Sequence, residues 1–560
     1  MPSSALDPEA RRRALARMTG DELDVLVIGG GITGAGAALD AATRGLRVGL
    51  IEARDYASGT SSKSSKLIHG GLRYLEMLDF GLVREALRER ELLLTRLAPH
   101  LVKPVPFLWP LTHRGWERLY LGAGLALYDR LGGARSVPAT RHLSHKGVLK
   151  VAPALRPDAF VGGVQFYDAQ EDDARLVAYV ARTAQQHGAA LATRVAATGF
   201  LHDGPRVAGV TARDAEGGVD LEIRARQVLG AAGVWTDELR ELAGAGSGTR
   251  IRPSKGIHVV VPRARISMEA GILMRTEKSV LFIIPWGRHW IIGDTDTPWE
   301  LDRDHPAATS ADIEYVLEKA NGILRDPLVR DDVEGVFVGL RPLVGSSEGA
   351  DTTKLSRAHT VESPVPGLTT VAGGKYTTYR VMAADLVDAG TRGLPGVVPP
   401  SVTERTPIVG AAGYDARWNQ RASLAASMQL DVARTERLLD RYGDRIDDLV
   451  ALIGERPELA RPLDGAYDYL AVEVVYACSH EGALRLEDVL ERRTRISFEV
   501  RDRGVACAPA VAALMAGVLG WDADRTASEL AALERRVAAE LRAEQLSDDA
   551  AASAAILAAS

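Results

Sequence analysis

Between Asp24 and Glu52 two short apolar runs flank one helical pattern. Val25-Leu26-Val27-Ile28 is β-branched and long enough for a buried strand, and Val48 to Ile51 makes a second. Between them Ala35, Ala38, Leu39 and Ala42 recur at helical spacing, and Gly45 stands where that helix ends. The turn Gly29-Gly30-Gly31-Ile32-Thr33-Gly34 fits GxGxxG, and Glu52 closes the second run. Strand, glycine turn, helix, strand, acid is the order that a Rossmann dinucleotide unit requires. The glycines let the backbone turn tightly and approach a pyrophosphate, whose charge meets the helix N-terminus. Glu52 is placed to accept hydrogen bonds from a ribose diol. The motif leaves FAD and NAD both open.

The pattern elsewhere sets the organisation. Residues 1–20 form an appendage, with Asp7 as N-cap, Pro8 at the first helical position and a short helix over Arg11 to Met18. Its Arg11, Arg12, Arg13 and Arg17 read as a solvated face. Leu101 to Gly133 combines prolines, Trp109, Trp116, basic residues and the apolar stretch Leu119 to Tyr128. It fits a membrane-interface segment and a buried helix with two core tryptophans equally well. A helix is predicted over Asp173 to His187, between strand-like runs. Residues 251–345 alternate as strands (Lys278 to Trp286, Trp290 to Gly293) around a helix near Ala311 to Leu324, which fits an antiparallel substrate sheet. Gly244-Ala245-Gly246-Ser247-Gly248 follows a helical pattern and reads as a loop without cofactor. Leu368 to Ala372 is another strand, and Gly373-Gly374-Lys375 opens a helix. The proline-rich stretch Pro395 to Pro407 marks a boundary. Beyond it, periodic segments rich in Ala, Arg and Glu predict a helical domain to about residue 545, then a frayed tail.

The fold class is therefore α/β: a Rossmann-type dinucleotide-binding domain (FAD-binding on the resemblance given below) with an inserted antiparallel-sheet substrate domain, then an α-helical C-terminal domain. The boundaries are 1–20, 21–400, 401–545 and 546–560. Composition narrows function further. A net charge of −6 argues against a nucleic-acid partner, which favours a basic surface. Cys478 and Cys507 are the only cysteines, too few for a zinc cluster. Their number suits a reducing compartment, with a disulfide between them as the alternative. His480-Glu481 lacks the spaced partners of a metal site and reads as a helix-surface pair. No apolar run approaches a membrane span, and the N-terminus lacks a signal-peptide core. The expected location is cytoplasmic, with peripheral membrane contact open.

After Glu52 comes Ser58-Gly59-Thr60-Ser61-Ser62-Lys63-Ser64-Ser65-Lys66-Leu67-Ile68-His69-Gly70-Gly71-Leu72-Arg73-Tyr74-Leu75. Its hydroxyls, amides and two lysines suit a pyrophosphate and one edge of an isoalloxazine ring, which a plain NAD domain does not need. This run resembles the signature of FAD-dependent glycerol-3-phosphate dehydrogenases, within the D-amino-acid-oxidase-like flavoprotein superfamily. The resemblance continues through Asp172-Asp173-Ala174-Arg175, Lys255 to Arg263, Ile283 to Trp286 and Gly339-Leu340-Arg341-Pro342-Leu343. Its strongest run ends at Gly373-Gly374-Lys375-Tyr376-Thr377-Thr378-Tyr379-Arg380.

The resemblance implies FAD as cofactor, held by Gly29, Gly31, Gly34 and Glu52, and by Thr60, Ser61, Ser62, Ser65, Lys66 and His69. It places Val195 near the adenine, Gly233 in a later nucleotide-contacting turn, and Gly374, Lys375 and Thr377 at the flavin. Helix amides opening at Gly373-Gly374-Lys375 favour negative charge on the pyrimidine edge of a reduced flavin. It implies oxidation of sn-glycerol 3-phosphate to dihydroxyacetone phosphate, with electrons passed to a membrane quinone. His258 is the candidate base, since its ordinary pKa lies near neutrality. Arg341 and Lys375, with Arg357, are expected around the phosphate or the nascent ketone, and Arg73 and Tyr74 beside the substrate oxygens. Two departures stand out. Gly230 and Ala232 replace polar residues and are expected to loosen local hydrogen bonding. Asp294 stands where the family commonly has threonine, and a carboxylate beside a phosphate ester is unfavourable unless it points away. Rival readings are an oxidase using dioxygen, an amine or amino-acid oxidase, an NAD-dependent dehydrogenase, and a flavin-stabilised scaffold. A homodimer, and attachment to the inner face of the cell membrane, complete the expectations.

Overall fold

The computed structural model describes residues 3–71, 79–113, 115–132, 136–245, 249–276, 280–345 and 359–559. Leu23–Ile28 is the centre of the first sheet, parallel to Val48–Glu52 (Val27 opposite Leu50) and to Val219–Gly230 (Val27 opposite Leu229). Ala190–Thr193 and Leu368–Gly373 extend it in parallel on either side, and His359–Val365 closes one edge antiparallel. The two near-continuous apolar runs of the sequence are strands covered on both faces, as parallel sheets require. Helices Ile32–Thr43, Asp173–Gln186 and Tyr379–Gly390 contribute to one core against this sheet. Small residues let them close in: a Cβ on Gly36 would lie 3.0 Å from the Tyr379 ring and 3.1 Å from the Ala383 Cβ.

The second sheet is built around Arg250–Pro262. This strand pairs antiparallel with Gly335–Gly345 from Arg250 opposite Gly345 to Val260 opposite Gly335, and with His289–Gly293 on its other side. The expected substrate sheet is therefore present, but it reaches further back along the chain. Leu67–Ile68, Lys103–Leu111 and Gly162–Gln170 all join it. Lys103–Leu111 was hidden by Pro104, Pro106 and Pro110, residues that argue against an interior strand. Trp109 lies on it, only 8% exposed and packed among Phe107, Leu121 and Val164. It cannot serve as a membrane anchor, which corrects half of the interfacial reading of Leu101 to Gly133. Helix Trp116–Gly132 does form, with Leu119 and Tyr120 75% and 53% exposed. The Trp116 side chain lies outside the described residues.

Both chain ends are more integrated than expected. Asp7 caps helix Pro8–Gly20 by accepting from the Ala10 amide at 2.6 Å, and Ala10, Ala14 and Met18 are buried. Arg11 donates to the Thr193 carbonyl at 2.9 Å and pairs with Asp214, while Arg17 donates to the Gly188 carbonyl at 2.7 Å. Only Arg12 and Arg13 remain solvated, beside Glu9. At the other end Asp548 caps helix Asp549–Leu557, whose Ala552 and Ile556 pack with Ala543, Trp299 and Leu340, so the segment is no frayed tail. The C-terminal part is helical as expected, yet it is joined to the first part by buried ion pairs. Asp55 lies between Arg492 and Arg493, Arg175 meets Glu481 at 2.6 Å, and Arg495 pairs with Asp172 and Asp173. Cys478 and Cys507 are both free and buried. His480 stacks on Tyr476 with 4.3 Å between ring centroids. Among the described residues no helix is long and apolar enough to cross a membrane.

Candidate active site

The carboxyl ends of the parallel strands converge on the glycine turn, where open α/β sheets bind ligands. Gly29 has φ 111°, and a Cβ there would sit 2.5 Å from the Ala231 carbonyl oxygen. A Cβ on Gly34 would lie 1.9 Å from the Gly29 carbonyl oxygen, so the helix can follow the strand this closely only with glycine. Gly31 caps helix Ile32–Thr43 and has no side chain to close its positive end. Ser61 leans over that end, its Oγ accepting from the Ile32 amide at 3.0 Å. Glu52 braces the turn: Oε2 accepts from the Gly30 amide at 2.6 Å and Oε1 from the Arg54 amide at 2.8 Å.

These groups line a cleft of about 340 Å³ that is also walled by Val195, Gly233, Gly374 and Lys375. A larger cavity of about 420 Å³ lies behind the 58–63 segment, against helix Ala523–Ala543. It lacks the glycine turn and its walls carry ion pairs such as Lys63–Glu491, so the smaller cleft is the candidate nucleotide site. The cleft fits FAD: a helix N-terminus whose N-cap residue has no side chain, for the pyrophosphate, a carboxylate at the end of Val48–Glu52, and side-chain-free backbone where the ligand must approach. Gly373 and Gly374 take φ 73° and 87°, turning the chain into the Tyr376–Thr378 turn and helix Tyr379–Gly390. Thr377 Oγ1 accepts from the His69 amide at 3.2 Å and donates to its carbonyl at 3.3 Å, which ties the two signature runs together. The departures at 230 and 232 do little harm. A Cβ on Gly230 would meet Leu239 at 2.7 Å, and the strand ends stay fixed by Ala231 N–H to the Ile28 carbonyl at 2.9 Å.

The hydroxyl-rich run does less direct binding than its composition suggested. Thr60 Oγ1 donates to the Leu340 carbonyl at 2.7 Å, and Lys63 pairs with Glu491. Lys66 is fully buried with φ 59°, its ammonium 2.8 Å from Asp173 Oδ2, 2.7 Å from the Ser62 carbonyl and over the Phe337 ring. Burial pushes it down to about 8 against the pull of Asp173. Both lysines are struts within the protein, and Lys63, Lys66, Ser62 and Ser65 are not among the residues that line the cleft. Asp173 also accepts from the Ser64 amide and hydroxyl at 3.0 and 2.7 Å, so the acid of the Asp172-Asp173-Ala174-Arg175 motif clamps Ser64 and Lys66 together. That role was missed. The available signal was a helix, Asp173–Gln186, whose charged residues sit where every position through Ala184 is buried.

A second cluster sits on the other sheet. His258, 2% exposed, stacks on Phe337 with 4.7 Å between centroids and places Nε2 2.9 Å from Ser65 Oγ. Its Nδ1 is buried without a hydrogen-bond partner among the described residues. Burial pushes the imidazole down to about 4, opposed by Asp294 and helped by Lys66 and Arg341. Arg341 pairs with Asp294, donates to the Thr295 carbonyl at 2.9 Å and lies 3.8 Å from Asp296. Burial works against its charge, but Asp294 and Asp296 outweigh it and hold the guanidinium protonated. Asp294 therefore points at the cation expected to take the phosphate. Ser254 is opposite Arg341 and Phe337 opposite His258, so base and cation share one face of the sheet. Gly256 lies between them, and a Cβ there would be 2.6 Å from Arg341 Nη2. The clusters adjoin through Ser64 and Pro342, cleft-lining neighbours of Ser65 and Arg341. Arg73, Tyr74 and Arg357 lie outside the described residues.

Comparison with known proteins gives the same picture. The FAD-dependent oxidoreductase family matches residues 24–380, and the C-terminal domain of alpha-glycerophosphate oxidase matches 401–526. A glycerol-3-phosphate dehydrogenase of Mycobacterium leprae is 54% identical over 548 residues, 98% of this chain and 94% of that protein. The human mitochondrial glycerol-3-phosphate dehydrogenase is 34% identical over 98% of this chain and 78% of its own length. The structure of glycerol-3-phosphate dehydrogenase from Bacillus halodurans complexed with FAD superposes with a TM-score of 0.79 at 30% identity, covering 95% of this chain and 98% of that one.

Proposed function

The chain belongs to the FAD-dependent glycerol-3-phosphate dehydrogenases, and on that premise we propose that it oxidises sn-glycerol 3-phosphate to dihydroxyacetone phosphate and passes the electrons to a membrane quinone. FAD, when bound, supplies the hydride acceptor. His258 takes the hydroxyl proton: an imidazole held near 4 by burial is unprotonated at neutral pH and ready to accept. Arg341 receives the phosphate, a dianion that a guanidinium matches with paired hydrogen bonds. Lys375 lines the cleft beside Gly374 and adds positive charge near the nascent ketone. The observation that carries this reading is the placing of a buried neutral histidine and an arginine on one sheet face, with the arginine's guanidinium lying over Gly256.

The acceptor is argued from chemistry. A lipid-soluble quinone is met at a bilayer, and the described helices contain no spanning segment. Peripheral docking at the inner face of the cell membrane is the remaining route, and Leu119 and Tyr120 on helix Trp116–Gly132 are the exposed apolar side chains that support it. The test is anaerobic addition of glycerol 3-phosphate to the purified yellow protein. Bleaching of the flavin followed by reoxidation with a quinone analogue is expected. No bleaching overturns the substrate, and stoichiometric peroxide without response to quinone replaces the quinone by dioxygen.

A further inference from the structure

The guanidinium of Arg341 is already partnered in this structure. Its Nη2 donates to Asp294 Oδ2 and to the Thr295 carbonyl at 2.9 Å, and its Nη1 reaches Ser254 Oγ at 3.5 Å and Asp296 Oδ1 at 3.8 Å. Asp294 and Arg341 are equally accessible, each side chain 19% exposed, so the pair is not sealed in the sheet. Among the described residues both Asp294 and Asp296 lie within ion-pair reach of this guanidinium. A phosphate dianion arriving at Arg341 therefore meets a guanidinium whose Nη2 is already committed to a carboxylate, and two anions at one guanidinium repel each other.

We propose that Asp294 is a specificity-determining residue for this reaction: an internal carboxylate that occupies Arg341 in the free enzyme and with which the phosphate of the substrate competes. The proposal rests on Arg341 being the phosphate cation. Its physical content is a selective handicap. Substrate must displace Asp294 to bind, so affinity for any phosphate monoester is lowered, product release is eased, and uncharged polyols are unaffected. Thr295 and Asp296 keep Arg341 in place when Asp294 swings away, because neither contact depends on it.

The test uses the full-length FAD-loaded protein with Asp294→Thr and the near-isosteric Asp294→Asn. Both variants are expected to lower KM for glycerol 3-phosphate about tenfold, the scale of one charge-assisted contact, while kcat moves by less than about threefold. KM for glycerol should not change. Inorganic phosphate, titrated calorimetrically into the oxidised protein, should bind about tenfold more tightly to both variants. An unchanged or raised KM together with unchanged phosphate affinity overturns the proposal and makes Asp294 a support for Arg341. If glycerol 3-phosphate fails to reduce the flavin of the unsubstituted protein, the reaction assigned above is wrong, and the phosphate titration alone decides the role of Asp294.

Discussion

Ser65 and His258, 193 positions apart in the chain, meet with 2.9 Å between Oγ and Nε2. That contact fixes the ring in plane over Phe337 and leaves Nδ1 as the buried nitrogen without a partner. Because burial drives the imidazole down to about 4 from 6.5, its neutral form persists well below the usual histidine range. In anaerobic stopped-flow measurements at saturating substrate, the limiting rate of flavin reduction should show its acid limb near 4 and not near 6.5, which sets it apart from the substrate phosphate's own ionisation at about 6 in kcat/KM. His258→Ala should slow reduction by roughly 10²–10⁴-fold while flavin stays bound. A limiting rate of flavin reduction that is unchanged by the substitution would remove His258 from the proton-transfer role.

Asp173 holds two buried cations, Lys66 and Arg495, along with the Ser64 amide and hydroxyl. Asp173→Ala leaves the buried Lys66 ammonium without its carboxylate and Arg495 with Asp172 alone, and breaking a buried pair of this kind costs about 3–5 kcal/mol. Thermal unfolding should report that loss, accompanied by release of flavin as the 58–66 segment loosens. A variant of ordinary stability would mean that water or another carboxylate takes over.

Acid sensitivity has a predictable shape. Burial disfavours the Glu473 carboxylate, but Arg437 and Arg441 outweigh it and hold it at about 2; Asp55 is lowered against its burial by Arg493 and Arg492. Groups depressed in the fold contribute stability that is complete above their unfolded values and lost as pH falls toward the folded ones. The buried neutral His100 and His258, at about 3 and about 4, add a loss that starts below 6.5, where the unfolded chain takes up their protons first. Circular dichroism against pH should therefore show a shallow decline below 6.5 and a steep one below 4.5.

Gly34→Val should abolish flavin retention, since even its Cβ would fall 1.9 Å from the Gly29 carbonyl oxygen and push the helix end off the strand. Flavin absorbance per protein after desalting is the readout. Retention at the original ratio would mean the pyrophosphate binds elsewhere.

Lipid binding separates two aromatic sites. Replacing Leu119 and Tyr120 by serine should weaken flotation with anionic liposomes and leave anaerobic flavin reduction intact, because both side chains are exposed. Trp109→Ser should instead lower thermal stability by about 3–5 kcal/mol, as for other large core truncations, without a specific effect on lipid. The reverse pattern would relocate the membrane contact.

The sequence by itself determined the nucleotide half. Val25 to Glu52 carries its strand, turn, helix and acid within one contiguous stretch, and glycine is demanded at Gly29 and Gly34 by contacts with near neighbours or the adjoining strand end. Local periodicity and sterics suffice there. Tertiary structure alone decided the partners of charged and aromatic side chains. Lys66 finds Asp173 107 residues away, Arg341 finds Asp294 47 residues away, and Trp109 is buried only because Lys103–Leu111 pairs with Gly162–Gln170. The docking of Pro8–Gly20 on Thr193 and Gly188 belongs to the same class. A lysine or arginine looks the same in sequence whether it meets a carboxylate, a phosphate or water. Which one it meets depends on what the fold brings within about 4 Å, the range over which a charge pair outweighs its hydration.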